Sequence, residues 1–291
     1  MRTIAKIFSP CKVNCMLAIN GVRPDGFHNL LSIVAPTRFG DTIEISEAER
    51  DLLTCNLEGV PCDESNLVMK AAALFREASG LDRHFEFNLI KRVPHGAGLG
   101  GGSSNGALAL KAINEICGSP LGADKLLEIC AKMGSDCPLF LQNKAVVMRG
   151  RGELVEDLPS AAAKLISSFK LLIFKPEFSI NTGWAYKRMR EISSAYIPES
   201  QAEEILKNFI KNPILENLPL VNNMQVPAFE KFPAIEAIIS FVKEKYRVPA
   251  LMSGSGSACF AIVNSLDDET LSALKRDILE RLGETCFISE A

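Results

Sequence analysis

The chain has 291 residues, enough for one large domain or two medium ones, and either size buries a full core. Its 47% hydrophobic and 23% charged residues are ordinary for a globular protein. A net charge of −3 argues against a surface for nucleic acid or anionic membrane, and no apolar run approaches the roughly 20 residues of a transmembrane helix.

The N-terminal stretch MRTIAKIFSPCKVN lacks the continuous apolar core of a signal peptide, so a cytoplasmic protein is expected. Thr3–Phe8 and Val13–Ile19 read as strands, interrupted by Ser9-Pro10-Cys11. A turn rich in Gly, Pro and Asp fills the stretch between Ile19 and Leu31. Asp41–Ile45 alternates like a half-buried strand, and Asp51–Asn56 is positioned to pair with it. Asn66, or Ser65, is an N-cap for the helical run LVMKAAALFREAS, which Gly80 stops. His84–Ile90 alternates again, with Phe85, Phe87 and Leu89 on one face.

Next comes Pro94–Ala107, PHGAGLGGGSSNGA, with six glycines from Gly96 to Gly106 and a helical run from Ser104 to Cys117. A glycine-rich turn feeding a helix aims unpaired N–H groups and the positive end of the helix dipole at one spot, which suits phosphate. Ser103 and Ser104 add hydroxyls for phosphate or Mg²⁺. No lysine sits between Gly102 and the helix, so a Walker A loop is excluded, and the glycine spacing does not fit a dinucleotide fingerprint.

Ala123–Lys132 is a further helix, ended by Gly134, with Leu139–Leu141 and Ala145–Met148 as strands after it. The pattern weakens between Arg149 and Ser168, and Phe169–Phe174 is a buried strand. Helices are expected at Thr182–Ile192, Glu199–Lys211, Ala234–Tyr246 and Glu269–Leu282. Residues 197–220 look like an insertion or a mobile segment. LMSGSGSACFAIV is a glycine–serine turn into a strand, and Phe287–Ile288 closes a sheet. The order of elements predicts α+β with mixed or antiparallel sheets, not a doubly wound parallel sheet. The expected division is 1–160 and 161–291. Nine cysteines with no C-x-x-C pair, most in apolar runs, point to buried free thiols in a reducing compartment. The three histidines have no metal-ligand spacing.

The stretch P-x-G-x-G-L-G-G-G-S-S-N resembles the phosphate loop of the GHMP small-molecule kinases. SPCKVN resembles that family's first motif, GSDCPLF its G-x-D-x-P-x-F, KPEFSINT its K-P-x-x-x-x-x-T, and MSGSGS its third motif. The resemblance runs in order from Lys12 to Phe260 and implies a two-lobed fold with a ligand cleft between the lobes. It also implies an N-terminal ATP-binding domain and a C-terminal substrate-side domain, with ATP and Mg²⁺ as cofactors.

Residue by residue, the resemblance makes Lys12 a charge-stabilising catalytic group and Asp136 the base for the acceptor hydroxyl. Pro94, Gly96, Gly98, Leu99, Gly100, Gly101, Gly102, Ser103, Ser104 and Asn105 would hold the nucleotide phosphates, with Ser103 or Ser104 on Mg²⁺. Asn66 and Leu67 match the adenine contacts, although a helix cap and a core leucine explain them equally well. Asn14, Ser179 and Thr182 fall on the acceptor side. Asp25-Gly26-Phe27-His28 resembles a signature of members acting on cytidyl diphosphates in the non-mevalonate isoprenoid route, the aromatic stacking on cytosine and the histidine bonding it. The expected partner is therefore a small cytidyl diphosphate substrate, not nucleic acid or membrane, with the chain a monomer or homodimer. The alternatives are a homoserine- or mevalonate-type kinase of the same family, or an ATP-binding protein without turnover. Three departures stand out: His95 after the loop proline, Gly106 where alanine is usual, and Asn223 and Gln225 where acids are usual. Glycine at position 106 is expected to weaken the first helical turn.

Overall fold

A computed structural model describes residues 3–142 and 144–291. Contacts divide the chain into two compact units. One comprises Met1–Cys11, Arg38–His95 and Gly100–Asn143; the other comprises Lys12–Thr37, Gly96–Leu99 and Lys144–Ala291. The units interleave along the sequence instead of parting near residue 160. The cause is the length of the first two strands, β1 (Ala5–Val22) and β2 (His28–Ala48), each of which contributes to both units.

In the first unit, β2 continues to β3 (Leu52–Cys55), α1 (Leu67–Ser79), β4 (His84–Ile90), α2 (Gly101–Ile116), α3 (Ala123–Met133) and α4 (Cys137–Gln142). The Asn66 side chain caps α1 by accepting from the Val68 N–H, and Gly80 in the left-handed region ends it. β4 buries Phe85, Phe87 and Leu89, the alternation read from the sequence. It pairs antiparallel with β2.

Four expectations are corrected here. Ser9-Pro10-Cys11 does not interrupt β1, because β8 reaches only Met16 and Leu17 on its far side, so Pro10 withholds no ladder hydrogen bond there. β2 is 21 residues long, of which only Asp41–Ile45 was legible. β3 does not pair with β2. It lies parallel to β4, because α1 crosses over between them. Leu139–Leu141 is helical, with Pro138 tolerated in the first turn of α4.

The second unit adds β5 (Val146–Arg149), β6 (Leu154–Asp157), α5 (Ser160–Ser167), β7 (Leu171–Lys175), α6 (Thr182–Glu191), α7 (Glu199–Lys211) and β8 (Val221–Asn222). It continues with α8 (Gln225–Lys231), α9 (Pro233–Tyr246), β9 (Ala250–Met252), β10 (Cys259–Ile262), α10 (Asp268–Leu282) and β11 (Phe287–Glu290). β6, α5 and α8 were not read from the sequence, being short and weakly periodic. α7 lies where an insertion was expected, and it buries Ala202, Leu206 and Phe209.

One sheet is mixed, in the order β3-β4-β2-β1-β8, with β5 and β6 branching from β2; the other, β11-β7-β10-β9, is antiparallel throughout. The second sheet packs Leu172, Phe174, Ala250, Met252, Cys259 and Ala261 against Ile235, Ile238, Ile239 and Val242 of α9 and Leu274 and Ile278 of α10. Every described cysteine is a free thiol, and Cys11, Cys15, Cys130, Cys137, Cys259 and Cys286 are buried. No described helix is long and apolar enough to cross a membrane.

Candidate functional site

In the first unit the glycine-rich loop ends at Gly100, which adopts φ 67° as N-cap of α2 and leaves the helix start without a side-chain cap. The first backbone N–H groups of a helix have no acceptor within it, the arrangement that binds anions. Beneath them lies a buried polar network. Asp41, fully buried, accepts from the Arg92 and Val93 N–H groups at 2.8 Å each, from Asn105 Nδ2 at 3.0 Å and from Lys91 Nζ. Lys91 also donates to Asn105 Oδ1 at 3.2 Å, and Asn105 Nδ2 donates to Ser9 Oγ at 2.9 Å. Ser9 Oγ and Ser104 Oγ share a hydrogen bond of 2.8 Å.

The two serines of the loop are therefore not equivalent. Ser104 is fully buried and its hydroxyl is bonded inward, as is the Asn105 amide. Ser103 is only half-buried. Asp136 is half-buried just before α4, and Pro94 is half-buried ahead of the loop. Asn66 Oδ1 accepts from Val68 N–H at 2.9 Å, and its Nδ2 donates to the Pro61 carbonyl at 2.7 Å.

Leu67 explains Gly106. A Cβ at Gly106 would sit 2.7 Å from Leu67 Cβ and 2.7 Å from Met133 Cε. The glycine that looked like a weakness of α2 is required by the close approach of α1. Its cost in propensity is offset by that packing.

In the second unit Gly96, Gly98 and Leu99 belong to a segment docked on β1 and on the glycine–serine turn. Lys12 N–H donates to the Leu99 carbonyl at 2.9 Å and Ala258 N–H to the Ala97 carbonyl at 3.2 Å. Gly98, at φ 76°, lies so near the turn that a Cβ there would fall 2.5 Å from the Ser253 carbonyl oxygen. Ser253 also reaches Asn14, whose N–H donates to its hydroxyl at 3.3 Å. Lys12 and Asn14 share a face of β1. The buried Lys12 Nζ donates to Asn14 Oδ1 at 2.6 Å, and Asn14 Nδ2 donates to Ser32 Oγ at 2.9 Å. Thr182 and Ser255 hydroxyls share a bond of 2.9 Å. Ser179 is exposed, 3.6 Å from where a Cβ at Gly96 would stand.

The β1–β2 turn carries Phe27, 53% exposed, with the Arg151 guanidinium 4.8 Å from its ring centre. Phe27 N–H donates to Asp25 Oδ1 at 3.1 Å, and this bond lowers the Asp25 pKa below the ordinary carboxylate value. His28 is buried, with the Tyr186 ring 4.9 Å away and the Tyr196 hydroxyl 3.2 Å from Nε2. Burial lowers the His28 pKa, and the charge of Arg190 lowers it further, so the imidazole is neutral at pH 7. Arg190, one helical turn beyond Tyr186 on α6, donates to the Gly26 carbonyl.

Sequence reasoning missed Ser9, Asp41, Lys91, Tyr186 and Tyr196. Tyr186 and Tyr196 meet His28 only through the fold. The one available signal for Asp41 and Lys91 was the rarity of buried charge beside strands, which a linear reading does not reveal. Among the described residues there is no group of three or more His, Cys, Asp or Glu side chains that could hold a metal ion.

Residues 66–144 match the GHMP kinases N terminal domain and residues 205–281 match the GHMP kinases C terminal region. The chloroplastic 4-diphosphocytidyl-2-C-methyl-D-erythritol kinase of Oryza sativa subsp. japonica is 40% identical over 89% of this chain; the chain spans 65% of that protein's length. The 4-diphosphocytidyl-2-C-methyl-D-erythritol kinase of Methylacidiphilum infernorum is 34% identical over 97% of this chain and 94% of its own. A solved 4-(cytidine 5'-diphospho)-2C-methyl-D-erythritol kinase superposes with a TM-score of 0.77 at 27% identity, covering 98% of each chain. A homoserine kinase from Cytophaga hutchinsonii, at 16% identity and a TM-score of 0.70, shares the fold.

Proposed function

This chain belongs to the GHMP kinase family, and we propose that it transfers a phosphoryl group from ATP to the 2-hydroxyl of 4-diphosphocytidyl-2-C-methyl-D-erythritol. The step belongs to the non-mevalonate isoprenoid route. The observation that carries the choice of substrate is His28, buried beside Tyr186 and Tyr196 on a turn that offers Phe27 to solvent. A neutral imidazole with aromatic rings beside it suits an uncharged base such as cytosine. The plant and bacterial relatives named above support the same acceptor.

In this reading Gly98–Ser104 hold the phosphates through main-chain N–H groups, and Pro94 and Gly96 shape the approach to them. Asn66 and Leu67 flank the adenine. Mg²⁺, when bound, supplies positive charge to the phosphate oxygens. Of the two loop serines, Ser103 fits it, because the Ser104 hydroxyl is bonded to Ser9 in the interior. Asp136 orients the acceptor hydroxyl and takes its proton, and Lys12, fixed by Asn14, stabilises the developing charge. Ser179 and Thr182 line the acceptor side. The start of α2 serves the ATP side, and the β1–β2 turn with Ser179 and Thr182 serves the substrate side.

ADP release with ATP, Mg²⁺ and the cytidyl substrate tests this. The wild type turns over, and Asp136→Asn falls by about 10²- to 10⁴-fold, the usual contribution of general base catalysis. Turnover of homoserine or mevalonate in place of the cytidyl substrate would reject the acceptor. ATP binding with no turnover of any of the three would reject the kinase reading.

A further inference from the structure

The amide-rich segment at Asn222–Gln225 has no part in the function proposed above, yet it is closely bonded. Asn223 is 7% exposed. Its Oδ1 accepts from the Ile19 N–H at 2.8 Å, and its Nδ2 donates to the Ile19 carbonyl at 2.9 Å and to the Ala195 carbonyl at 2.8 Å. Two more bonds tie Ile197 to β1. Ile197 N–H donates to the Ile19 carbonyl at 3.1 Å, and Asn20 Nδ2 donates to the Ile197 carbonyl at 3.0 Å. Tyr196 is thereby held at both neighbours, and its hydroxyl meets His28 Nε2 at 3.2 Å.

We propose that Asn223 is a positioning residue for the cytidyl end of the site: it fixes Ala195–Ile197 on β1 and so holds the Tyr196 hydroxyl against His28. What His28 binds rests on the kinase reading; the positioning itself does not. The contacts made in this chain call for an amide. Asn223 accepts one bond and donates two, whereas an ionised carboxylate would face the Ile19 and Ala195 carbonyls with no proton to offer. A serine at this position is too short to span from Ile19 to Ala195.

The test is NMR of the ligand-free chain at one fixed pH. There are three histidines, and His28→Gln identifies the His28 imidazole signals by their loss. Asn223→Asp and Asn223→Ser shift those signals in the direction that Tyr196→Phe shifts them, while His84 and His95 stay in place. In turnover, all three variants raise KM for the cytidyl substrate by about tenfold, as expected for one lost hydrogen bond, with kcat and KM for ATP within about twofold. A stationary His28 signal in both Asn223 variants overturns the proposal, and so does an equal rise in both KM values. Wild-type protein that does not turn over removes the kinase reading, and the His28 shifts still decide the positioning role.

Discussion

At the start of α2 the Ser104 and Asn105 side chains point inward. Ser104, Asn105, Ser9, Asp41 and Lys91 bond one another, and the surface they support is main chain. At the β1–β2 turn the side chains themselves are the surface and its lining: Phe27 outward, His28 beneath, Tyr186 and Tyr196 beside it. On the proposed function the first region would meet any phosphate-bearing ligand with the same main-chain groups, which offer little discrimination. The second offers rings and one neutral imidazole, which discriminate by shape and hydrogen bonding. In the function proposed above, donor and acceptor recognition are thus built from different materials.

Three experiments break or sharpen this contrast. The largest effect is expected at Asp41. Asp41→Ala leaves the Lys91 ammonium buried with its ion partner gone, and a loss of about 3–5 kcal/mol in denaturant-measured stability follows. A loss below about 1 kcal/mol would mean that the inward network does not support the loop. Next is Gly106→Ala. Propensity alone predicts a gain of up to about 1 kcal/mol, but the contacts with Leu67 and Met133 predict a net loss of about 1–3 kcal/mol from overpacking. A higher melting temperature in this variant would reject the close approach of α1 and α2.

The smallest effect concerns His28. Its pKa is lowered in the folded chain, so between that value and the ordinary imidazole value the unfolded chain binds more protons. The contribution is complete above pH about 6.5 and is lost as pH falls through the folded value. His28→Gln is expected to flatten the slope of stability against pH in that window, read from urea midpoints. An unchanged slope would show that the burial of His28 carries no proton linkage.

The same contrast explains what could be read from the sequence. A site made of main chain leaves its mark as glycine spacing, so Pro94–Ala107 was legible at once. Helix stops at Gly80 and Gly134 and the alternation of His84–Ile90 were legible for the same local reasons. A site made of side chains is legible only where its residues are contiguous. Phe27 and His28 stood out, but Tyr186 and Tyr196 lie 158 and 168 positions from His28 and came into view only with the fold. The strands failed differently. Ser9-Pro10-Cys11 looked like a break because proline usually ends pairing, and only the short reach of β8 shows why it does not. Leu139–Leu141 was too short for its period to separate strand from helix. Gly106 was misjudged because propensity was weighed without its neighbours.

The inward-facing loop serine and asparagine carry a consequence for resistance. An inhibitor that engages the start of α2 reads backbone N–H groups, which only a substitution to proline deletes. Any other escaping variant would have to bend the backbone, and at Gly98 the Ser253 carbonyl already fills the space a larger residue would need. Escape at the β1–β2 turn is simpler, because Phe27 can be exchanged without disturbing anything buried.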